Sequence, residues 1–154
     1  MPSPLLTAAT STFESLALLF AEAPPTAAQA EAPLTLAARV AFTGPRTGTL
    51  DVAVSEGVAV ALAANMLGLD PEAVRADERL RRDAVGELAN VVCGNVLPLV
   101  AGREAVFRLG APSALDPAAA APADGALVEV LGVDDGRAAV TLSMDAPAPP
   151  HLLP

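Results

Sequence analysis

Asp83-Ala84-Val85-Gly86-Glu87-Leu88-Ala89-Asn90-Val91-Val92-Cys93-Gly94-Asn95, the run DAVGELANVVCGN, sets an acid, a second acid and an amide at steps of four and three in an apolar stretch. At about 100° per residue, a helix gathers Asp83, Glu87 and Asn90 within roughly 60° of arc. The opposite face of the wheel carries Val85, Leu88, Val92, Val96 and Leu99, the apolar stripe of a helix laid on a core. What that helix lies against decides the fold, and the flanking sequence supplies it.

Upstream, Asp77 is placed to cap this helix, which runs from 78 to about 96 or beyond, with Pro98 perturbing or ending it. Asp70-Pro71-Glu72 opens a short helical turn, with Asp as N-cap and Pro at the first helical position. Before it, residues 56–67 form a dense apolar helix closed by Gly68. Further back, Leu34, Leu36, Ala38, Val40 and Phe42 alternate, residues 44–48 turn the chain, and Leu50, Val52 and Val54 alternate again: an antiparallel hairpin.

Ser11-Thr12-Phe13-Glu14 has capping-box spacing and predicts a first helix running toward Pro24-Pro25, followed by an Ala/Pro connection over 23–33. Downstream, residues 105–109 suggest a strand and 111–125 a Pro/Ala loop without regular structure. Residues 127–133 and 137–143 make a second hairpin around Asp134-Asp135-Gly136. The expectation is one α+β domain over 1–145, a largely antiparallel sheet with two long helices on one face, and a flexible Pro-rich tail over 146–154.

Composition narrows the function. In 154 residues, 53% are apolar and 3% aromatic, so the core is aliphatic. Eighteen acids face nine bases for a net charge of -9, which leaves no basic face for nucleic acid. All nine bases are arginine, which excludes a Schiff-base lysine and the lysine of a P-loop. Cys93 is the single cysteine and reads as a buried hydrophobe, while His151, the single histidine, sits in the tail. Neither a thiolate zinc site nor a histidine-based triad can be assembled. Ala28-Gln29-Ala30 has the look of a signal-peptidase site, but no basic segment precedes it and Glu14 breaks the apolar run. No uninterrupted apolar segment approaches a membrane span, and the expected location is the cytoplasm.

The polar stripe has two readings. It is the solvated side of an amphipathic helix, with Arg79 pairing Asp83 at i,i+4, or it is a tool. Two residue choices favour the second. Asn is a weak helix former at an exposed position, and Gly86 and Gly94 flank the same face at a cost of about 1 kcal/mol each. Their missing side chains flatten the surface, as close approach to a partner requires, although glycine equally allows a neighbouring helix to pack. Asn95 projects away from the stripe, where a bond to core backbone is expected.

At these residues the chain resembles the CheC/CheX/FliY family of chemotaxis phosphatases. The family pattern of Asp or Ser, three residues, Glu, two residues, Asn is matched by Asp83, Glu87 and Asn90, with Gly94-Asn95 following and Pro112 close to the downstream proline. The hairpin at Phe42-Thr43-Gly44 and Gly48-Thr49-Leu50 and the helix AVALAANMLG over 59–68 look like the CheX type. A second motif copy ending at Asn65 would need Glu where Leu62 stands and Asp or Ser where Val58 stands, so the chain carries one site.

The resemblance implies hydrolysis of the aspartyl-phosphate of a CheY-type response regulator in chemotaxis or another two-component pathway. Asn90 is then expected to position the attacking water and Glu87 to pair with the regulator's lysine, both as catalytic residues; Asp83, Gly86 and Gly94 serve docking. No cofactor of its own is expected, since Mg²⁺ comes with the regulator's active site. A homodimer is implied, and Arg75, Arg79, Arg81 and Arg82 either help steer the acidic pocket of a regulator or form a solvated basic patch that balances an acidic protein. The alternative is a non-catalytic adaptor that binds a receiver domain or flagellar-switch component through the same helix.

Overall fold

The computed structural model describes residues 2–120 and 124–145; the expected tail over 146–154, with His151, lies outside the described residues. In chain order the elements are α1 (Pro4–Ala17), β1 (Ala21–Glu22), α2 (Ala27–Ala30), β2 (Leu34–Thr43), β3 (Gly48–Ser55), α3 (Glu56–Leu67), α4 (Pro71–Arg75) and α5 (Glu78–Ala101). Then follow β4 (Arg108–Leu109), β5 (Ser113–Leu115), a 3-10 turn (Pro117–Ala120), β6 (Leu127–Val133) and β7 (Gly136–Met144).

The seven strands form one sheet in the order β1-β6-β7-β3-β2-β4, with β5 also on the outer edge of β2, and every pairing is antiparallel. Strand alternation sorts the two faces. Leu36, Ala38, Val40 and Phe42 of β2 and Leu50, Val52 and Val54 of β3 are buried in one cluster with α1, α3 and α5, as a period of two demands. On the reverse face, Ala37 opposes Ala53 and Arg39 opposes Asp51. Arg39 grips Asp51 through Nε at 2.7 Å and Nη2 at 2.8 Å, and these hydrogen bonds first, with the carboxylate's charge, hold the guanidinium above its ordinary pKa. The α+β architecture is the expected one, with α1 as a third helix in the layer.

The first helix starts earlier than the capping-box spacing suggested. Ser3 is its N-cap, accepting from Leu6 N at 3.0 Å and donating to Glu129 Oε1 at 2.7 Å, with Pro4 at the first helical position. Ser11 and Thr12 lie inside it, and Thr12 Oγ1 donates back to the Ala8 carbonyl at 2.6 Å. The helix stops well before Pro24-Pro25, because Leu18 adopts a left-handed φ of 55° and its N–H closes on Glu14 O.

Other boundaries follow their local chemistry. Gly68 ends α3 at φ 65°, Asp70 caps α4 by accepting from Glu72 N, and Asp77 caps α5 by accepting from Arg79 N. The turn at Asp134-Asp135 places Asp134 at φ 50°, a conformation Asp tolerates. Pro98 neither ends nor breaks α5, which continues to Ala101. Its missing N–H orphans the carbonyl of Gly94, four residues back and exposed to solvent.

Two segments depart from expectation downstream of α5. Only Arg108–Leu109 of the 105–109 stretch pairs as a strand, and Val106 is exposed. Within 111–125, expected to lack regular structure, Ser113–Leu115 pairs with β2 and Pro117–Ala120 forms a 3-10 turn against β2 and β3. By length and composition alone α5 could cross a membrane, but half of that apolar window is buried inside the domain.

Candidate functional site

α5 is the helix that every other layer touches: it packs against α1, α3, β2 and β3. Its buried residues come in pairs four apart, Ala84/Val85, Leu88/Ala89, Val92/Cys93 and Val96/Leu97. A repeat of four advances the inward face by about 40° per step, so the face winds around the helix. A straight projection misplaces two residues for this reason. Leu99, expected in the core, is 51% exposed. Asn95, expected to bond core backbone, lies on the exposed flank and donates through Nδ2 to the Thr12 hydroxyl of α1 at 2.9 Å.

The remaining face is the predicted stripe. Asp83, Glu87 and Gly94 are exposed and Asn90 is half-buried. Asp83 Oδ2 stands 3.9 Å from Arg79 Nε, a loose exposed pair that contributes little. Among the described residues, the side chains of α5 and its N-cap that enter hydrogen bonds are Asp77, Glu78, Arg81, Arg82 and Asn95. Glu87 and Asn90 enter none. One carboxylate and one amide, a helical turn apart, thus face outward on a rigid helix with their polar atoms uncommitted. An amide in this setting both donates and accepts without titrating.

The two glycines are not equivalent. Nothing lies within 4 Å of where a Cβ of Gly94 would stand, so that part of the ridge is bare. Gly86 is buried, and a Cβ there would meet Pro112 Cβ at 3.1 Å. Its missing side chain is used inside the chain, letting the β4–β5 connection close on the helix, and it does not present a flat strip to a partner.

The arginines upstream also separate. Arg81 is an internal tie, with Nη1 donating to the carbonyls of Val74 and Arg75 at 2.8 Å each and Nε 2.8 Å from Glu56 Oε1. The Nε contact has ion-pair distance without hydrogen-bond alignment. Arg81 is thus withdrawn from any steering role. Arg75 pairs with Glu72 and Arg82 with Glu78, while Arg79 is the most exposed of the four.

Beside the stripe, α5, β2 and β5 enclose a cleft of about 430 Å³. Leu36, Ala38 and Val85 form its floor, Pro112 and Ala114 one wall, and Asp83 and Glu87 its rim. Sequence reasoning missed it because β5 lay in a stretch read as structureless. The one local signal was Pro112. No cluster of three or more His, Cys, Asp or Glu gathers among the described residues.

Residues 36–130 match the family model described as chemotaxis phosphatase CheX. No curated protein matches the chain significantly. Among solved structures, the chain is similar to chemotaxis protein CheX from Vibrio vulnificus, with TM-score 0.72 and 20% identity over 93% of this chain and 97% of that one. It is similar to CheX from Desulfovibrio desulfuricans, with TM-score 0.69 and 20% identity over 92% and 97%. It also resembles a chain in the CheX-CheY-BeF3-Mg complex from Borrelia burgdorferi, with TM-score 0.71 and 16% identity over 93% and 96%. At these identities the structural likeness speaks for the fold.

Proposed function

Since the chain belongs to the CheX family of chemotaxis phosphatases, we propose that it hydrolyses the aspartyl-phosphate of a CheY-type response regulator, using the outward ridge of α5. The observation that carries the proposal is the pair Glu87 and Asn90: adjacent on that ridge, exposed or half-buried, and free of hydrogen bonds among the described residues. The Borrelia burgdorferi complex, in which CheX is paired with CheY, BeF3 and Mg, supports the choice of partner.

The chemistry asks little of the phosphatase. An acyl phosphate has a good leaving group, and the regulator brings the Mg²⁺ that neutralises its oxygens. What is lacking is a water held in line with the phosphorus. The ridge of α5 enters the regulator's site, and the Asn90 amide accepts from and donates to that water, fixing its lone pair toward the phosphorus. Glu87 pairs with the regulator's lysine and sets the depth and register of the helix. Asp83 and the bare surface at Gly94 contact the partner around them. The protein acts in the cytoplasm as a homodimer presenting one such ridge per subunit, which sedimentation at micromolar concentration checks by a mass twice that of the chain.

The test is the decay of a phosphorylated CheY-type regulator with wild type, Glu87→Ala and Asn90→Ala. Acceleration by wild type that Asn90→Ala abolishes, with binding to the beryllofluoride-activated regulator retained, supports water positioning. Binding without acceleration by wild type would replace this reading with that of a non-catalytic adaptor.

A further inference from the structure

The cleft beside Glu87 is built on the same helix face as the ridge, yet the chemistry above does not use it. Its floor is apolar and its rim carries the carboxylates of Asp83 and Glu87. The one cation on the rim, Arg82, has its Nη2 2.9 Å from Glu78 Oε1 and is already paired. A second cleft of about 400 Å³ continues from it past Arg82 and Ala114 and adds the carboxylate of Asp116. The groove is thus apolar below and net negative at its lip.

From this we infer that the cleft receives an apolar side chain of the docked regulator, carried on the same segment that presents a cationic group to Glu87. The inference rests on the proposed partner and adds where that partner gains affinity. Two observations commit it to this occupant. Glu87 and Asp83 belong to both ridge and cleft, so a segment seated on one lies over the other. The negative lip favours a cationic neighbour and disfavours an acidic one. A buried anchor side chain in a preformed pocket is a common source of interface affinity.

Ala114 allows a clean test, because it is exposed and lines the mouth of both clefts. Ala114→Phe fills the mouth, Ala114→Arg and Ala114→Glu place opposite charges there, and Ala118→Phe on the 3-10 turn controls for added bulk nearby. Steady-state dephosphorylation and the Kd for a CheY-type regulator activated with beryllofluoride and Mg²⁺ are measured for each. The expected result is a rise of about tenfold in KM and Kd for Ala114→Phe, with kcat unchanged and Ala118→Phe silent. Ala114→Arg should bind more weakly than Ala114→Glu, an ordering by charge that general unfolding would not produce and that holds even if the Phe variant fails to fold.

Unchanged KM and Kd in Ala114→Phe, or the reverse charge order, would overturn the inference and leave the phosphatase reading standing. A wild type that binds without accelerating decay, with Ala114→Phe still weakening Kd, would overturn the phosphatase reading and keep the anchor cleft. No binding by wild type would overturn both.

Discussion

α3 and α5 pack side by side on the sheet, and both carry an asparagine preceded at the same spacing. Asn65 follows Leu62 by three and Val58 by seven; Asn90 follows Glu87 by three and Asp83 by seven. In α3 the two preceding residues are sealed in the core, Leu62 at 0% and Val58 at 1% exposure. Asn65 itself is exposed, but its amide is committed within the chain, with Nδ2 donating to the carbonyl of Ala17 at the end of α1 at 2.8 Å. In α5 the matching positions face outward and the Asn90 amide has no such bond. One helix is scaffold and the other is tool, and the difference lies in which face each has left after packing.

That contrast breaks most sharply at the second position of the pattern. Leu62→Ala should cost about 2–5 kcal/mol in urea unfolding, the range for truncating a fully buried leucine, whereas Glu87→Ala should stay within about 0.5 kcal/mol. Equal losses would mean that Glu87 belongs to the scaffold. The asparagines should trade readouts. Asn90→Ala should lower catalysed regulator dephosphorylation about 100-fold, the scale of a lost positioning contact, without moving the unfolding midpoint. Asn65→Ala should cost about 1 kcal/mol and leave the rate alone. A single variant that moved both readouts would merge the two helices into one functional unit.

The smallest effect sharpens the contrast within α5 itself. Cys93, on its inward face, is buried, and desolvation pushes its thiol from the ordinary 9.0 up to about 12. Because the folded pKa is the higher one, the stabilising difference is complete below the unfolded pKa. It is lost as pH climbs from about 9 toward 12, where the unfolded chain sheds its proton first. Between pH 7 and pH 10 wild type should lose about 1 kcal/mol more than Cys93→Ala. Identical losses would show that the thiol ionises as freely folded as unfolded.

The stripe Asp83, Glu87, Asn90 was legible because periodicity is a local property of the chain. So were the elements whose ends carry their own chemistry: Gly68, Asp70-Pro71, Asp77 and the Asp134-Asp135-Gly136 turn. What escaped depends on partners distant in sequence. β5 is three residues long and exists by pairing with Ala37, Ala38 and Arg39. The close of α1 falls on Leu18, where no glycine advertises a left-handed residue. The exposure of Leu99 and the role of Gly86 follow from the winding of the buried face and from Pro112, neither of which a helical wheel contains.

The position of β7 reaches beyond the folded state. It is the last strand among the described residues, yet it lies in the interior of the sheet, hydrogen-bonded to β6 on one side and β3 on the other. During synthesis the β2–β3 hairpin and the helices above it can form early, but β3 keeps an open edge. β1, which precedes it in the chain, must wait for β6. The two halves of the sheet join only after residues 136–144 have left the ribosome. Until then the nascent chain carries an unpaired strand edge of the kind that recruits other chains.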